Sequence, residues 1–109
     1  MTLNEYQQKS NGTARFPDQE NSFIYATLGM MGEAGEVAKK IKKVWRDKGK
    51  KIEPADRDEI KKEMGDVLWY LAQLGLILDL ELEDIAQTNL AKTASRLERH
   101  VINGTGDNR

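Results

Sequence analysis

The sequence predicts an all-α chain of four helices, the middle two folded back on each other as an antiparallel hairpin. Two observations carry that expectation. Apolar residues recur at spacings of three and four, and the breaks between periodic stretches are short and marked by glycine, proline or asparagine. At 109 residues the chain is one domain, 1–109, able to build a modest core.

The first helix is expected over Leu3–Lys9, with Thr2 as N-cap and Glu5 three residues on completing a capping box. Residues 10–20 carry Asn11-Gly12 and Pro17-Asp18 and read as a loop. From Asn21 or Ser22 to Asp47, the residues Ile24, Leu28, Met31, Gly35, Ala38, Ile41 and Trp45 form an amphipathic stripe, which Lys48-Gly49-Lys50 ends. Pro54 suits the first position of a third helix, whose apolar face is Ile60, Met64, Val67, Leu68, Leu71, Leu74 and Leu78. After Asp79-Leu80-Glu81 a fourth helix runs over Glu83–Arg99, with Ile85, Leu90, Ala94 and Leu97 on one side. Residues 103–109 form a turn-rich or flexible tail. The apolar load on the third helix argues against a monomer.

Composition excludes several classes of chemistry. There is no cysteine, so disulfides, thiolate metal sites and cysteine nucleophiles are absent. A net charge of −1 offers nucleic acid no bulk attraction. No apolar run approaches a membrane span, and the polar start has no signal-peptide core, which makes the cytoplasm the default location. His100, the sole histidine, stands at a helix end, so histidine-based metal sites and serine–histidine triads lack their parts. No Walker loop or dinucleotide fingerprint is present.

What remains is acidic. Glu33-Ala-Gly-Glu36 and Glu63-Met-Gly-Asp66 each set two carboxylates three residues apart on one helical face. Glu36 lies eleven residues before Asp47 and Glu63 nine after Pro54, or roughly 16 Å and 14 Å of helix. A hairpin therefore brings both pairs to nearly the same height, where four carboxylates suit a hard cation. Spacing alone is weak: Asp56/Glu59 and Glu81/Asp84 repeat it, and a solvated helix face is the bland alternative. Context favours a site. Glu33, Glu63 and Asp66 have Val37, Val67 and Tyr70 four residues on, where surface carboxylates often find a lysine or arginine. Gly32, Gly35 and Gly65 beside the acids suggest close helix approach or room for a ligand.

Eight of the thirteen residues from Lys39 to Lys51 are lysine or arginine. Lys40 and Lys43 share the face of Glu33 and Glu36, where a polyphosphate could reach them; opposing the helix macrodipole explains such lysines equally well. Asn89, Lys92 and Arg96 align on the fourth helix. Phe16 and Tyr25 near the loop read as core-packing residues, with stacking on a base as the alternative.

At these residues the chain resembles the MazG-like nucleoside triphosphate pyrophosphohydrolases, an all-α family with an E-x-x-E, spacer, E-x-x-D signature. The likeness extends from Thr-Leu-Asn-Glu-Tyr-Gln at the start, through Tyr25-Ala-Thr-Leu-Gly-Met-Met-Gly-Glu-Ala-Gly-Glu-Val37 and Glu63-Met-Gly-Asp-Val-Leu-Trp-Tyr-Leu71, to the tail. Gly32 stands where many relatives carry another acid. The resemblance implies a four-helix, bundle-like fold assembled as a homodimer or homotetramer, with its active site near a protomer interface. It also implies Mg²⁺-dependent hydrolysis, with Mn²⁺ as a substitute, of a (deoxy)nucleoside triphosphate to monophosphate and pyrophosphate. Glu33, Glu36, Glu63 and Asp66 would hold metal, with Glu36 orienting or deprotonating the water. Lys40, Lys43, Tyr70, Asn89, Lys92 and Arg96 would contact substrate. The competing reading is a non-catalytic module that binds nucleic acid or an acidic partner through the basic stretch.

Overall fold

The computed structural model describes residues 1–109 and contains four α-helices and no strand. α1 spans Leu3–Ser10, and its expected capping box is present: the Glu5 amide donates to Thr2 Oγ1 at 3.0 Å while Glu5 Oε2 accepts from the Thr2 amide. A 3-10 turn at Asn11–Thr13 interrupts the predicted loop. α2 spans Ser22–Lys48 and ends where Gly49 takes a left-handed conformation, φ +57°, that glycine adopts without strain. α3 spans Pro54–Ile77 with the proline in its first turn, and α4 spans Leu82–Glu98. Each expected helix end falls within one residue of the observed one.

α2 and α3 pack as the expected hairpin. At its closed end Lys48 donates to Asp56 at 2.8 Å, and Asp56 also accepts the Glu53 amide at 2.9 Å. Farther along, Lys40 faces Glu59 and Glu63, and farther still Gly29 faces Tyr70. These pairings set an antiparallel register.

The apolar stripe expected along α2 is not the face that packs on α3. Ile24, Leu28, Met31, Ile41 and Trp45 are all exposed, Leu28 at 67 % and Trp45 at 62 %. The seam is instead formed by Ser22, Ala26, Glu33, Val37, Lys40 and Val44. On α3, Met64 and Leu68 are exposed as well, as is Leu78 just past its end. The pattern was read correctly as amphipathic, but the greasy side faces outward and the mixed, acid-bearing side faces inward. Four apolar residues are buried in the protomer, Ala26, Val44, Ala72 and Leu82. The radius of gyration is 16.8 Å, against about 13 Å for a compact chain of this length.

α1 bolts the open end of the hairpin. Gln7, 1 % exposed, donates to the carbonyls of Ala72 and Leu80 and accepts the Leu82 amide. Ser10 donates to the Gln7 carbonyl and accepts from buried Gln73, and Trp69 Nε1 donates to the Ser10 carbonyl and to Thr13. α4 packs chiefly on α1. The tail folds back: Arg109 donates to the carbonyls of Val101, Ile102 and Gly106.

Candidate metal centre

Halfway along the seam, Glu33 of α2 meets Glu63 and Asp66 of α3. One carboxylate oxygen from each lies within 4.8 Å of the other two. Glu36 stands one turn nearer the closed end and pairs with Lys39 at 3.6 Å, outside this group. The hairpin thus brings together three of the four expected acids. Their surroundings are those of a cation site. Burial pushes the Glu33 carboxyl above its ordinary value, and the charges of Asp66, Glu63 and Glu36 push it further. Lys40 is the neighbouring cation, 4.0 Å from Glu63 and shared with Glu59. Three carboxylates facing one peripheral amine keep excess negative charge, and their donor set is all hard oxygen, which fits Mg²⁺ or Mn²⁺.

One side of the acid layer is aromatic. Tyr70, one turn beyond Asp66, has its phenol raised by burial and by neighbouring Tyr25, Glu33 and Asp66. Trp69 meets Tyr70 edge-on at 5.0 Å, and Phe16 packs on Tyr25 at 5.5 Å and on Trp69. Phe16 and Tyr25 thus pack on each other beside the acids, but Tyr25 is 43 % exposed, so the contact lies at the surface and not in a core. On the other side, towards the closed end, Lys40 and Lys43 line a cavity of about 280 Å³ together with Val44, Lys48, Asp56 and Glu59.

The expected cations of α4 go elsewhere. Lys92 and Arg96 both reach Asp107 of the tail at 3.3 Å, and Arg96 donates to the Asp107 carbonyl at 2.7 Å. Arg96 is 6 % exposed and its Nε has no hydrogen-bond partner. Within one protomer no hydrogen bond or ion pair links Asn89, Lys92 or Arg96 to the acids. The basic stretch is also partly neutralised, since Lys39, Lys40 and Lys48 face Glu36, Glu59/Glu63 and Asp56. That leaves less free positive charge for an acidic partner than the sequence suggested.

The glycines separate the two expectations, since open space beside the acids agrees with room for a ligand and not with close helix approach. A Cβ on Gly32, Gly35 or Gly65 would touch nothing within 4 Å, so close helix approach inside the protomer does not explain them. The close approach is at Gly29, which spacing around the acids did not single out.

An all-α hairpin that gathers three carboxylates in its seam defines a class of helical proteins with a candidate hard-cation site. This chain belongs to one family of that class: residues 22–101 match the MazG nucleotide pyrophosphohydrolase domain. It is also similar over its full length to "Gene 37 protein" of Mycobacterium phage L5, 45 % identical over 114 aligned residues that cover all of both chains. No solved structure matches it significantly. No helix is long and apolar enough to cross a membrane.

Proposed function

We propose that this protein hydrolyses the α–β phosphoanhydride of a nucleoside or deoxynucleoside triphosphate, releasing the monophosphate and pyrophosphate in a Mg²⁺-dependent reaction. The observation that carries the reading is the meeting of Glu33, Glu63 and Asp66 within 4.8 Å in a MazG-family chain. These three, with Glu36 one turn along, are the residues assigned to hold the metal. The metal supplies Lewis-acid neutralisation of the polyphosphate and lowers the pKa of water. Glu36 carries no more than an exposed lysine contact, which leaves its carboxylate able to take the proton of the attacking water. Lys40 and Lys43 are placed to meet the triphosphate charge, and Tyr70 walls the nucleoside side. Asn89, Lys92 and Arg96 would serve as phosphate or sugar contacts only if another protomer's α4 were brought to the seam and Asp107 released Lys92 and Arg96. The test is a panel of NTPs and dNTPs with Mg²⁺, read as pyrophosphate. Wild type is expected to turn over at least one of them, and Glu36→Gln to be slower by on the order of 10²-fold. A panel without pyrophosphate sinks the reading.

The same reading places the protein in a homodimer or homotetramer. Leu28, Met31, Trp45, Met64 and Leu68 are all exposed in the protomer, and large apolar side chains are what an interface between subunits covers. Leu28→Arg is expected to shift the mass measured by sedimentation or light scattering towards the monomer. A wild-type monomer at micromolar concentration overturns this part.

A further inference from the structure

We infer that Gly29 is a positioning residue for the acid cluster: it is the socket against which the Tyr70 ring lies, and the seated ring sets the spacing of Glu33 from Asp66. This rests on the proposed metal-dependent reaction. Gly29 is four residues before Glu33 on α2, and Tyr70 is four after Asp66 on α3. Since four residues are about one helical turn, roughly 6 Å of rise, the Gly29–Tyr70 pair is the seam layer next to the acid layer. A Cβ at position 29 would stand 2.5 Å from Tyr70 Cζ and 2.8 Å from Cδ1, and closer still to Cε1. Side-chain carbons do not approach so near, so any other residue at 29 must displace the ring or part the helices.

The ring has little freedom to yield. Tyr25 stands 6.5 Å away between centroids, and Trp69 closes another side edge-on at 5.0 Å. Glu33 and Asp66 stand one turn along from this pair, Glu33 on the helix of Gly29 and Asp66 on that of Tyr70. Displacing the ring therefore disturbs the acids, and parting the helices separates Glu33 from Glu63 and Asp66. Both routes loosen an arrangement of three oxygens that a small cation needs held closely.

The two residues should behave as a matched pair. Mn²⁺ binding to the nucleotide-free protein, read by electron paramagnetic resonance or calorimetry, is compared among wild type, Gly29→Ala, Tyr70→Ala and the double variant. Far-UV circular dichroism checks the fold of each. Gly29→Ala is expected to weaken Mn²⁺ about tenfold or more, as loss of a ligand-orienting contact does. Adding Tyr70→Ala is expected to bring affinity back to within a few-fold of Tyr70→Ala alone. Alanine favours helix over glycine, so loss of local helix does not account for such a fall. Gly29→Ala binding like wild type, or a double variant as weak as Gly29→Ala, overturns the inference. Should the single variant fail to fold, a folded, Mn²⁺-binding double variant upholds the pairing and an unfolded one overturns it. A wild type that neither binds Mn²⁺ nor releases pyrophosphate sinks the proposed function itself; one that does both while Gly29→Ala is unchanged sinks this inference alone.

Discussion

Glu33→Gln is expected to lower kcat for pyrophosphate release by on the order of 10²-fold or more, and at the same time to raise the melting temperature of the metal-free protein at neutral pH. The two effects share one cause. Glu33, Glu63 and Asp66 stand together with Lys40 at their edge, and burial and like charge raise the Glu33 pKa. A carboxyl whose pKa is raised on folding contributes its stability below its unfolded value, ordinarily 4.5, and loses it as pH rises through the raised folded value. At pH 7 the metal-free wild type therefore carries an unfavourable contribution that the neutral amide removes. As pH falls towards 4.5 the wild type takes up the proton and the difference between the two proteins closes. Asp56, Glu59 and Asp107, whose pKa values are lowered by their cation partners, lose stability over the acid range in both proteins and cancel in that difference. With saturating Mg²⁺ the order is expected to reverse, because a ligand that binds the folded state stabilises it by mass action. Melting curves in EDTA and in Mg²⁺ at several pH values test this. A glutamine variant that melts below wild type in EDTA at pH 7 contradicts it.

Gln7→Ala is expected to cost about 3 kcal/mol, the sum of a few buried hydrogen bonds whose partners are left without water, and to lower the melting temperature by on the order of 10 °C. Gln7 is buried and joins Ala72 and Leu80 to Leu82, which is the whole corner between α3 and α4. The Leu80 carbonyl and Leu82 amide would lose these partners. Gly75→Ala is expected to be comparably harmful: its Cβ would stand 2.7 Å from Gln7 Nε2 and 2.8 Å from the Leu80 carbonyl oxygen. Removing Gln7 relieves one of those clashes and not the other, so Gln7→Ala/Gly75→Ala should show little rescue, unlike the Gly29–Tyr70 pair, where the obstruction is a side chain. Melts at equal protein concentration, needed because assembly makes the melting point concentration-dependent, decide the matter. A Gln7→Ala protein melting within a few degrees of wild type would show that α1 is not the bolt.

Much of this fold was legible because its signals are local. Thr2 with Glu5, Pro54 and Lys48-Gly49-Lys50 act within a turn of where they stand, and they mark helix ends correctly. The hairpin followed from a short connector, and equal heights above the turn brought Glu33 to Glu63 and Asp66. Glu36 is expected among them because helical spacing gives a common face but not the direction in which each carboxylate turns; here it turns towards exposed Lys39. The buried role of Gln7 had no local sign, since a glutamine on a short amphipathic helix reads as surface and its partners are 65 to 75 residues away. Gly29 was missed for the same reason, its reason for being glycine lying on another helix. The face of α2 that meets α3 was not legible from its apolar stripe, because grease usually marks a seam and here the seam mixes small and apolar residues with Glu33 and Lys40.

That inversion separates what α2 does on its two sides. Ile24, Leu28, Met31, Ile41 and Trp45 look one way, and Glu33, Lys40 and the Tyr70 contact look the other. On the proposed function, reactivity and cohesion would therefore be written in different letters of the same helix, interleaved but not shared. Such a helix can drift in substrate preference through its inward letters without coming apart, and can change its companions through its outward letters without losing its chemistry.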